Sequence, residues 1–543
     1  MRVLLIQPPI QDFYATAQRI YPLGLCSLKA AVQKYLPQIE VRVLDLQSGK
    51  SKKTIVLPKE LAFLQKFYPD SDHSPFAAFG PYYHFGSSFK QSVQIIKEEK
   101  PDLIAISSLF TPYHREVLTL AKLCKETVDC PILIGGPHAS ACFEQMIQNE
   151  SIDFVIRAEG ERAFVEFLKQ YQSDKNWNSV PNLVYKDGGR IFINEIQKNY
   201  SLDELFFPDN LDLKLEDYSL RGKSLAFILS SRGCPWKCSF CSVHEIFYEG
   251  FRERKVSSII EEMKDLYKKG VRVFDFEDDN LTFNKKRLLE LCESIIKNFP
   301  SKDIELVAMN GLSYLALDEE RLKAMKEAGF TELNLSLVTS NEDLNKECQR
   351  PYSLDHFKKI VLLAYHFGFH IVSYQILGLP GETLESQRET LKFLVELPVL
   401  IGASPFYVPP KTIVAEKFST PTEADLIKAR LSVMGPYDDK REEIYTQFSL
   451  VRILDFLKGL QFEGKGISLS ELQKKNWGNA QIELGFELLE KLFLEGNLYG
   501  KNKKGFFLRS KFKKETFGFF WNQINEIRTQ RNQTIVNDLK FTF

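Results

Sequence analysis

The chain has 543 residues, 44% hydrophobic and 26% charged, an ordinary globular composition with enough length for two to four domains. Lys+Arg 71 balances Asp+Glu 71, so no global basic field points to nucleic acid or anionic lipid. The apolar run after Met1 is too short for a signal peptide. The stretch 391–410 carries Lys392, Glu396, Pro398 and Pro405 and is no membrane span, and nine cysteines imply a reducing, cytoplasmic compartment.

In chain order, Val3–Ile6 reads as a strand, Leu23–Lys34 as a helix and Val41–Leu44 as a second strand. Residues 50 to 95 are less regular. Pro58, Pro69, Pro75 and Pro81 punctuate an aromatic-rich stretch ending Tyr82-Tyr83-His84-Phe85-Gly86, which is expected to pack against the first domain. Leu103–Ser107 is an apolar strand, Arg115–Lys125 a helix, and Pro131–Ile134 a strand ending in Gly135-Gly136-Pro137-His138. Phe154–Ile156 is a short strand before Ala158-Glu159-Gly160-Glu161, which opens a helix with acids in its first turn. Buried strands alternating with helices predict a doubly wound, Rossmann-like α/β sheet over residues 1–175. Its ligands would sit at the carboxyl ends of the strands, where Gly135-Gly136 lies. Val184–Ile193 reads as a hairpin turning at Gly188-Gly189, and hairpin plus linker fill residues 176–222.

Three runs in the first domain, Pro101-Asp102-Leu103-Ile104-Ala105-Ile106-Ser107, Gly135-Gly136-Pro137-His138-Ala139-Ser140 and Glu159-Gly160-Glu161, resemble the cobalamin-binding domain that precedes many radical S-adenosylmethionine (SAM) cores. The resemblance implies a corrin over the strand ends, beside Ser107, Gly135, Gly136 and Glu159. Glycine suits that place because backbone must approach a flat ring closely. The family's Asp-x-His-x-x-Gly motif, whose histidine ligates cobalt, is missing from the loop Gln11-Asp12-Phe13-Tyr14-Ala15-Thr16. That argues against a histidine ligand from this loop, and His138 reads as a loop or core residue.

The segment Ser231-Arg232-Gly233-Cys234-Pro235-Trp236-Lys237-Cys238-Ser239-Phe240-Cys241 carries three cysteines in C-x3-C-x2-C spacing. Thiolates so close in sequence can ligate three corners of one cubane iron–sulfur cluster. Three ligands leave one iron open, as catalytic metal sites require. No second C-x2-C pair follows at zinc-ribbon distance. Cys26, Cys124, Cys130, Cys142, Cys292 and Cys348 are scattered and read as inert thiols. The spacing resembles the radical SAM superfamily, whose members bind SAM on the open iron and cleave it with one electron to a 5′-deoxyadenosyl radical. It implies a [4Fe-4S] cluster on Cys234, Cys238 and Cys241, fed by an electron donor such as a flavodoxin or ferredoxin.

Six strand candidates span the next two hundred residues or so: Leu225–Leu229, Arg272–Phe276, Glu305–Met309, Glu332–Leu337, Ile371–Leu377 and Ile401–Phe406. Between them lie helical patterns at Val256–Lys269, Asn284–Lys297, Glu319–Ala328, Leu354–Phe367 and Leu384–Leu397. Successive right-handed crossovers curl such units into part of a barrel. The result resembles the partial (β/α)6 TIM-like barrel of radical SAM enzymes, here over residues 223–425. By that resemblance Glu277-Asp278-Asp279 meets the SAM ammonium, where a carboxylate in low dielectric accepts charged hydrogen bonds. Asn310 is a further polar contact. Ser336 or Thr339 takes the ribose in place of the Glu that relatives often carry at Val338. Gln375 and Gly378 line the adenine site with Phe240. Pro235 and Trp236 shield the cluster, and His244 reads as a helix residue rather than a fourth ligand. Pro409-Pro410-Lys411-Thr412 matches a loop of cobalamin-type relatives.

Residues 426–543 lose this rhythm and read as a small, mainly helical domain. A capped helix start at Ile467–Leu472 and helical spacing to Gly496 precede a hairpin wing around 498–508, faintly similar to a winged helix. Lys501, Lys503, Lys504, Lys511, Lys513 and Lys514 make a local basic patch, so nucleic-acid binding is one alternative. A solvated accessory domain at the barrel mouth is the simpler one. The whole predicts a cobalamin-dependent radical SAM methyltransferase acting on an unactivated carbon or phosphorus of a small-molecule substrate. The alternatives are a radical cyclase or rearrangement enzyme using cobalamin without methyl transfer, and an iron–sulfur sensor binding nucleic acid through the tail.

Overall fold

The structure is a computed structural model. It describes residues 1–13, 21–49, 52–67, 72–198, 201–204, 207–248, 250–430, 439–460, 468–524, 527–528, 534–536 and 541. Tyr14-Ala15-Thr16 of the first loop and Ile467 of the capped helix start lie outside the described residues.

The first sheet contains five parallel strands, β1 (Arg2–Gln7), β2 (Glu40–Asp45), β3 (Leu103–Ser107), β4 (Ile132–Gly135) and β5 (Phe154–Ile156), in the order β2-β1-β3-β4-β5. The inner strands are apolar over most of their length because helices cover both faces, whereas the edge strand β2 alternates and exposes Glu40 and Arg42. Val3, Leu5, Leu103 and Ala105 feed one core, and Leu4, Ile6, Ile104 and Ile106 feed the other. The order reverses between β1 and β3, the switch point at which such sheets bind ligands. The expected hairpin forms as β6 (Leu183–Asp187) and β7 (Arg190–Ile193) but does not stand apart from the first sheet. It instead adds two antiparallel strands beside β5 and makes the sheet seven-stranded and mixed. This pairing satisfies the backbone groups that the short edge strand β5 would otherwise expose.

Residues 50–95 pack against the first domain, as expected, and against the tail as well. Short strands Ile10–Asp12, Lys53–Thr54 and Tyr83–Phe85 form a sheet of their own. The apolar side chains Leu61, Leu64, Phe67, Phe79 and Tyr82 pack with Phe13 of the first domain and equally with Ile427 and Tyr445 of the tail. Next to that core the Arg430 guanidinium, almost wholly buried, pairs with Glu116 and donates from Nε to the Gln11 carbonyl at 2.8 Å.

The barrel strands β8 (Lys223–Ile228), β9 (Val273–Phe276), β10 (Glu305–Val307), β11 (Glu332–Val338), β12 (His370–Leu377) and β13 (Leu400–Pro405) run in parallel in chain order. They form two groups of three, joined by single bridges Leu306–Phe330 and Leu312–Leu335. Helices such as Val256–Lys268 and Lys285–Asn298 cover the outside. Six strands leave the barrel open beside β13. The tail helix Arg441–Lys458 covers that edge: Asp455 accepts from the Ile401 N–H at 2.8 Å, and Ile444 lies against Gly378. The tail therefore packs along the side of the barrel, its Leu450, Leu454, Phe486, Leu489 and Trp521 continuing the barrel's apolar core.

The wing forms from Tyr499–Asn502 and Gly505–Leu508. Its Lys501 N–H donates to Asp72 at 3.2 Å, and the Lys501 carbonyl accepts from the His73 N–H at 2.8 Å. Lys501, Lys511 and Lys513 pair with Glu487, Glu442 and Glu443. The wing is thus tied to the residues just after 71 rather than standing free of the rest of the chain. Among the described residues no helix is long and apolar enough to cross a membrane.

Candidate active site

The loop after β8 is held from both sides. Asp278, buried just past β9, accepts from the Ser230 N–H at 3.1 Å, from the Ser230 hydroxyl at 2.7 Å and from the Ser231 hydroxyl. Asp279 accepts from the Gly233 N–H at 2.9 Å, and burial pushes its carboxyl up to about 6. Gly233 has φ +80°, and a Cβ there would lie 2.0 Å from the Gly250 carbonyl, so glycine is required at this turn. Cys234, Cys238 and Cys241 are free thiols. Burial pushes Cys241 up to about 11, and Cys238, Asp279 and Cys234 push the same way, as close neighbours do. Two side-chain N–H donors face these sulfurs: Asn280 Nδ2 is 3.5 Å from Cys234 Sγ, and Arg350 Nη1 is 3.7 Å from Cys238 Sγ. Neighbouring thiols with N–H groups turned on them fit an iron–sulfur cluster, whose charge such hydrogen bonds stabilise. His244 sits in the short helix Val243–Glu245 with Nε2 2.6 Å from the Trp236 carbonyl, bonded to backbone.

Strand alternation sorts the SAM candidates. Ser336, Tyr374 and Gly402 lie in register across β11–β13, and so do Leu335, Ser373 and Ile401. Leu335 and Ile401 belong to the helix-covered core. Gln375 shares the face of Ser373 and is wholly buried in that outer layer, so its expected place beside the adenine is corrected. Its neighbour Ile376 faces the other way and packs with Phe240, Val338 and Leu379. Ser336 accepts from Arg350 Nη2 at both its carbonyl (2.5 Å) and its hydroxyl (3.2 Å). Thr339 is buried against Thr390. Between these two the β11 register shifts and Val338 holds φ +74°. That is an outlier for a β-branched residue, and such strain concentrates at functional sites. The Asp278 carboxylate is occupied by the two serines, which removes it as an ammonium acceptor. Glu277 falls on the side of Asp275, opposite Phe274 and Phe276, and Asn310 Nδ2 donates to the Asp278 carbonyl at 3.3 Å. The Gly378 N–H donates to Glu382 at 2.8 Å, and burial pushes Glu382 up to about 7.

On the first sheet, Ser107 pairs with Gly135 at the last rung of β3–β4. Gly136 follows with φ +110°, and a Cβ there would come 2.8 Å from the Ser108 carbonyl. Buried Ser108 Oγ, His114 Nε2 and His138 Nε2 have no partner among the described residues, although both histidines bond Thr111 through Nδ1. Burial and the His114 charge lower His138 to about 3, so its ring is neutral. Orphaned polar atoms beside a close-approach turn fit a ring ligand carrying amide arms. The Glu159 carboxylate, expected beside that ring, is held by Arg232 at 2.7 Å and by Arg252, while Glu161 holds Arg232 at 2.6 Å. A buried carboxylate takes the nearest guanidinium. Arg350, Asn280 and Arg232 went unrecognised in the sequence. Asn280 and Arg232 at least flank motifs already singled out, whereas Arg350 carries no local signal.

The family model described as Radical SAM superfamily matches residues 228–394, and the one described as B12 binding domain matches residues 82–168. The chain is 29% identical over 321 residues to an uncharacterized methyltransferase of Pyrococcus horikoshii, covering 58% of this chain and 68% of the relative. It is 24% identical over 438 residues to the cytidylyl-2-hydroxyethylphosphonate methyltransferase of Streptomyces wedmorensis, covering 73% and 77%. An anaerobic magnesium-protoporphyrin IX monomethyl ester cyclase of Cereibacter sphaeroides is 26% identical, over 56% of this chain and 51% of the relative. The radical SAM methyltransferase TsrM of Kitasatospora setae, solved with cobalamin and a [4Fe-4S] cluster bound, shares the fold with a TM-score of 0.60 at 18% identity, over 77% of each chain. The chain thus carries a radical SAM domain over residues 228–394, with a B12-binding domain over residues 82–168 ahead of it.

Proposed function

We propose that the chain is a cobalamin-dependent methyltransferase of the radical SAM type, acting on an unactivated carbon or phosphorus of a small molecule. The observation that supports this most is the set of three neighbouring thiols after β8, carried by a chain whose first sheet offers a glycine cradle at Gly136. Cys234, Cys238 and Cys241 hold the [4Fe-4S] cluster in this reading, and Ser107, Gly135 and Gly136 lie under the corrin. The bound cofactors supply one-electron cleavage of SAM and a carrier for its methyl group.

This chain's own residues bind and orient. Asn280 and Arg350 direct N–H groups at the sulfurs. Arg350 keeps a buried Nε without a partner among the described residues and supplies the cation for the SAM carboxylate. Glu277 and Asn310 receive the ammonium, Ser336 the ribose, and Gly378 with Phe240 and Ile376 the adenine. Phe240, Ile376, Val338 and Leu379 form an apolar patch that keeps water from the reacting atoms. An electron donor of the flavodoxin or ferredoxin class and a cytoplasmic setting belong to the same proposal.

The methyltransferase names of two relatives support methyl transfer. The cyclase relative supports a second reading, cyclisation or rearrangement without it. The test is anaerobic reconstitution with iron, sulfide and hydroxocobalamin, then SAM carrying a labelled methyl group plus dithionite. Methyl transfer predicts about four irons per chain, bound cobalamin, 5′-deoxyadenosine and label on the extracted cobalamin. Iron, cobalamin and 5′-deoxyadenosine without any labelled cobalamin would favour the second reading, and absence of iron uptake would discard both.

A further inference from the structure

The loop that carries the cysteines is tied to the B12-binding sheet by charge. Arg232 stands two residues before Cys234, and its side chain is only 10% exposed. Its guanidinium reaches Glu161 at 2.6 Å and Glu159 at 2.7 Å, and the second Glu159 oxygen takes Arg252. Arg232 and Arg252 are themselves partners in the short antiparallel pair Ser231–Arg232 with Arg252–Glu253. Burial alone would raise the Glu161 carboxyl, but Arg232 and its hydrogen bonds outweigh that and hold it below its ordinary value. Two acids and two bases are thus buried as a neutral set between the domains. Apolar side chains would hold two surfaces together as well as buried ion pairs do. What a guanidinium between two carboxylates adds is a fixed direction, because its N–H groups form a rigid fork.

A chain of hydrogen bonds runs from the glycine cradle to this fork. The Gly136 carbonyl accepts from the Ser140 N–H at 2.9 Å and from the Ser140 hydroxyl at 3.0 Å. Ser140 Oγ in turn accepts from the Ala158 N–H at 2.8 Å, and Ala158 precedes Glu159. On the far side Arg232 leads directly into Gly233 and Cys234. Resting on the cofactor assignment proposed above, we infer that Glu159, Glu161 and Arg232 are positioning residues that couple occupancy of the cobalamin cradle to the geometry of the cysteine loop. Coupling of this kind is reciprocal: an assembled cluster tightens cobalamin binding by the factor by which cobalamin favours the assembled loop.

The test is hydroxocobalamin titration of the full chain, followed by absorbance, with the cluster reconstituted and with iron removed. The cluster-loaded chain is expected to bind at least about fivefold more tightly, a coupling of ordinary size. Glu161→Gln and Arg232→Gln should bring that ratio to near one with iron content retained. Arg232→Lys keeps the charge, preserves the fold and loses the fork, so it should show an intermediate ratio. An unaltered ratio in all three iron-loaded variants, or a ratio of one in the wild type, overturns the inference alone. A wild-type chain that takes up neither iron nor hydroxocobalamin overturns it together with the cofactor assignment.

Discussion

Arg350 Nη1 lies 3.7 Å from the sulfur of Cys238, while Nη2 of the same guanidinium reaches the Ser336 carbonyl at 2.5 Å. One side chain thus bridges the end of β11 and the cysteine loop. Replacing it with glutamine leaves the fold of β11 but removes the cation. Charged hydrogen bonds of this sort contribute about 1.5–3 kcal/mol, so SAM affinity should fall at least about tenfold while iron content holds. SAM binding to the reconstituted Arg350→Gln chain by equilibrium dialysis reads this directly. Unchanged affinity would mean that the cation serves only the sulfurs.

Cys234→Ala, Cys238→Ala and Cys241→Ala should each drop bound iron and abolish formation of 5′-deoxyadenosine. Cys292→Ala removes a thiol buried among Leu288, Leu291 and Ile295, and should change neither. Iron analysis and chromatography of the SAM products decide it. Full activity in any of the first three variants sinks the ligand assignment.

Gly136→Ala separates the two cofactors. The added Cβ would meet the Ser108 carbonyl at 2.8 Å in a backbone with φ +110°, so the turn must shift. Hydroxocobalamin affinity should fall about tenfold or more with the cluster intact. Equal affinity would place the ring elsewhere on the sheet.

The pair Glu116–Arg430 joins the first domain to the tail in an almost dry setting. Truncating one partner leaves the other charge buried alone, which costs about 3–5 kcal/mol. Arg430→Ala should therefore lower the urea midpoint strongly, and the double replacement Glu116→Leu with Arg430→Met should recover most of it. A single variant as stable as wild type would show that the pair is hydrated in solution.

Acid should weaken the first domain through His138. Its folded imidazole stays neutral down to about 3, whereas the unfolded ring titrates near its ordinary 6.5. The unfolded state then binds the extra proton, so stability is complete above 6.5 and declines as pH falls through the interval between the two values. The decline is roughly 1 kcal/mol per pH unit. Urea midpoints at pH 7.5 and 5.5 should differ less in His138→Gln than in wild type. Parallel behaviour of the two proteins would exclude His138 as the cause.

Much of the fold is legible from the chain because burial repeats along it. The strands of the first sheet and barrel fall within a few residues of their predicted bounds, most of them short apolar or alternating runs set off by amphipathic helices. The cysteine loop is legible for the same reason of locality, since its sulfurs lie within one short segment. Arg350 was hidden because it comes to Cys238 across 112 positions of sequence. Gln375 was misplaced because a period of two names two faces without saying which one meets the lumen; only the register against β11 and β13 settles that.

The sequence by itself determined the layered α/β architecture, the order of the two family domains and which sulfurs stand together. Tertiary structure alone decided where the charges go: Glu159 to Arg232 rather than to a ring, Asp278 to two serines rather than to an ammonium, Glu116 to Arg430 of the tail. The physical reason is that a buried charge must find an opposite charge or a hydrogen-bond donor in contact. Which group is in contact depends on how distant segments pack, and no local pattern of residues encodes it.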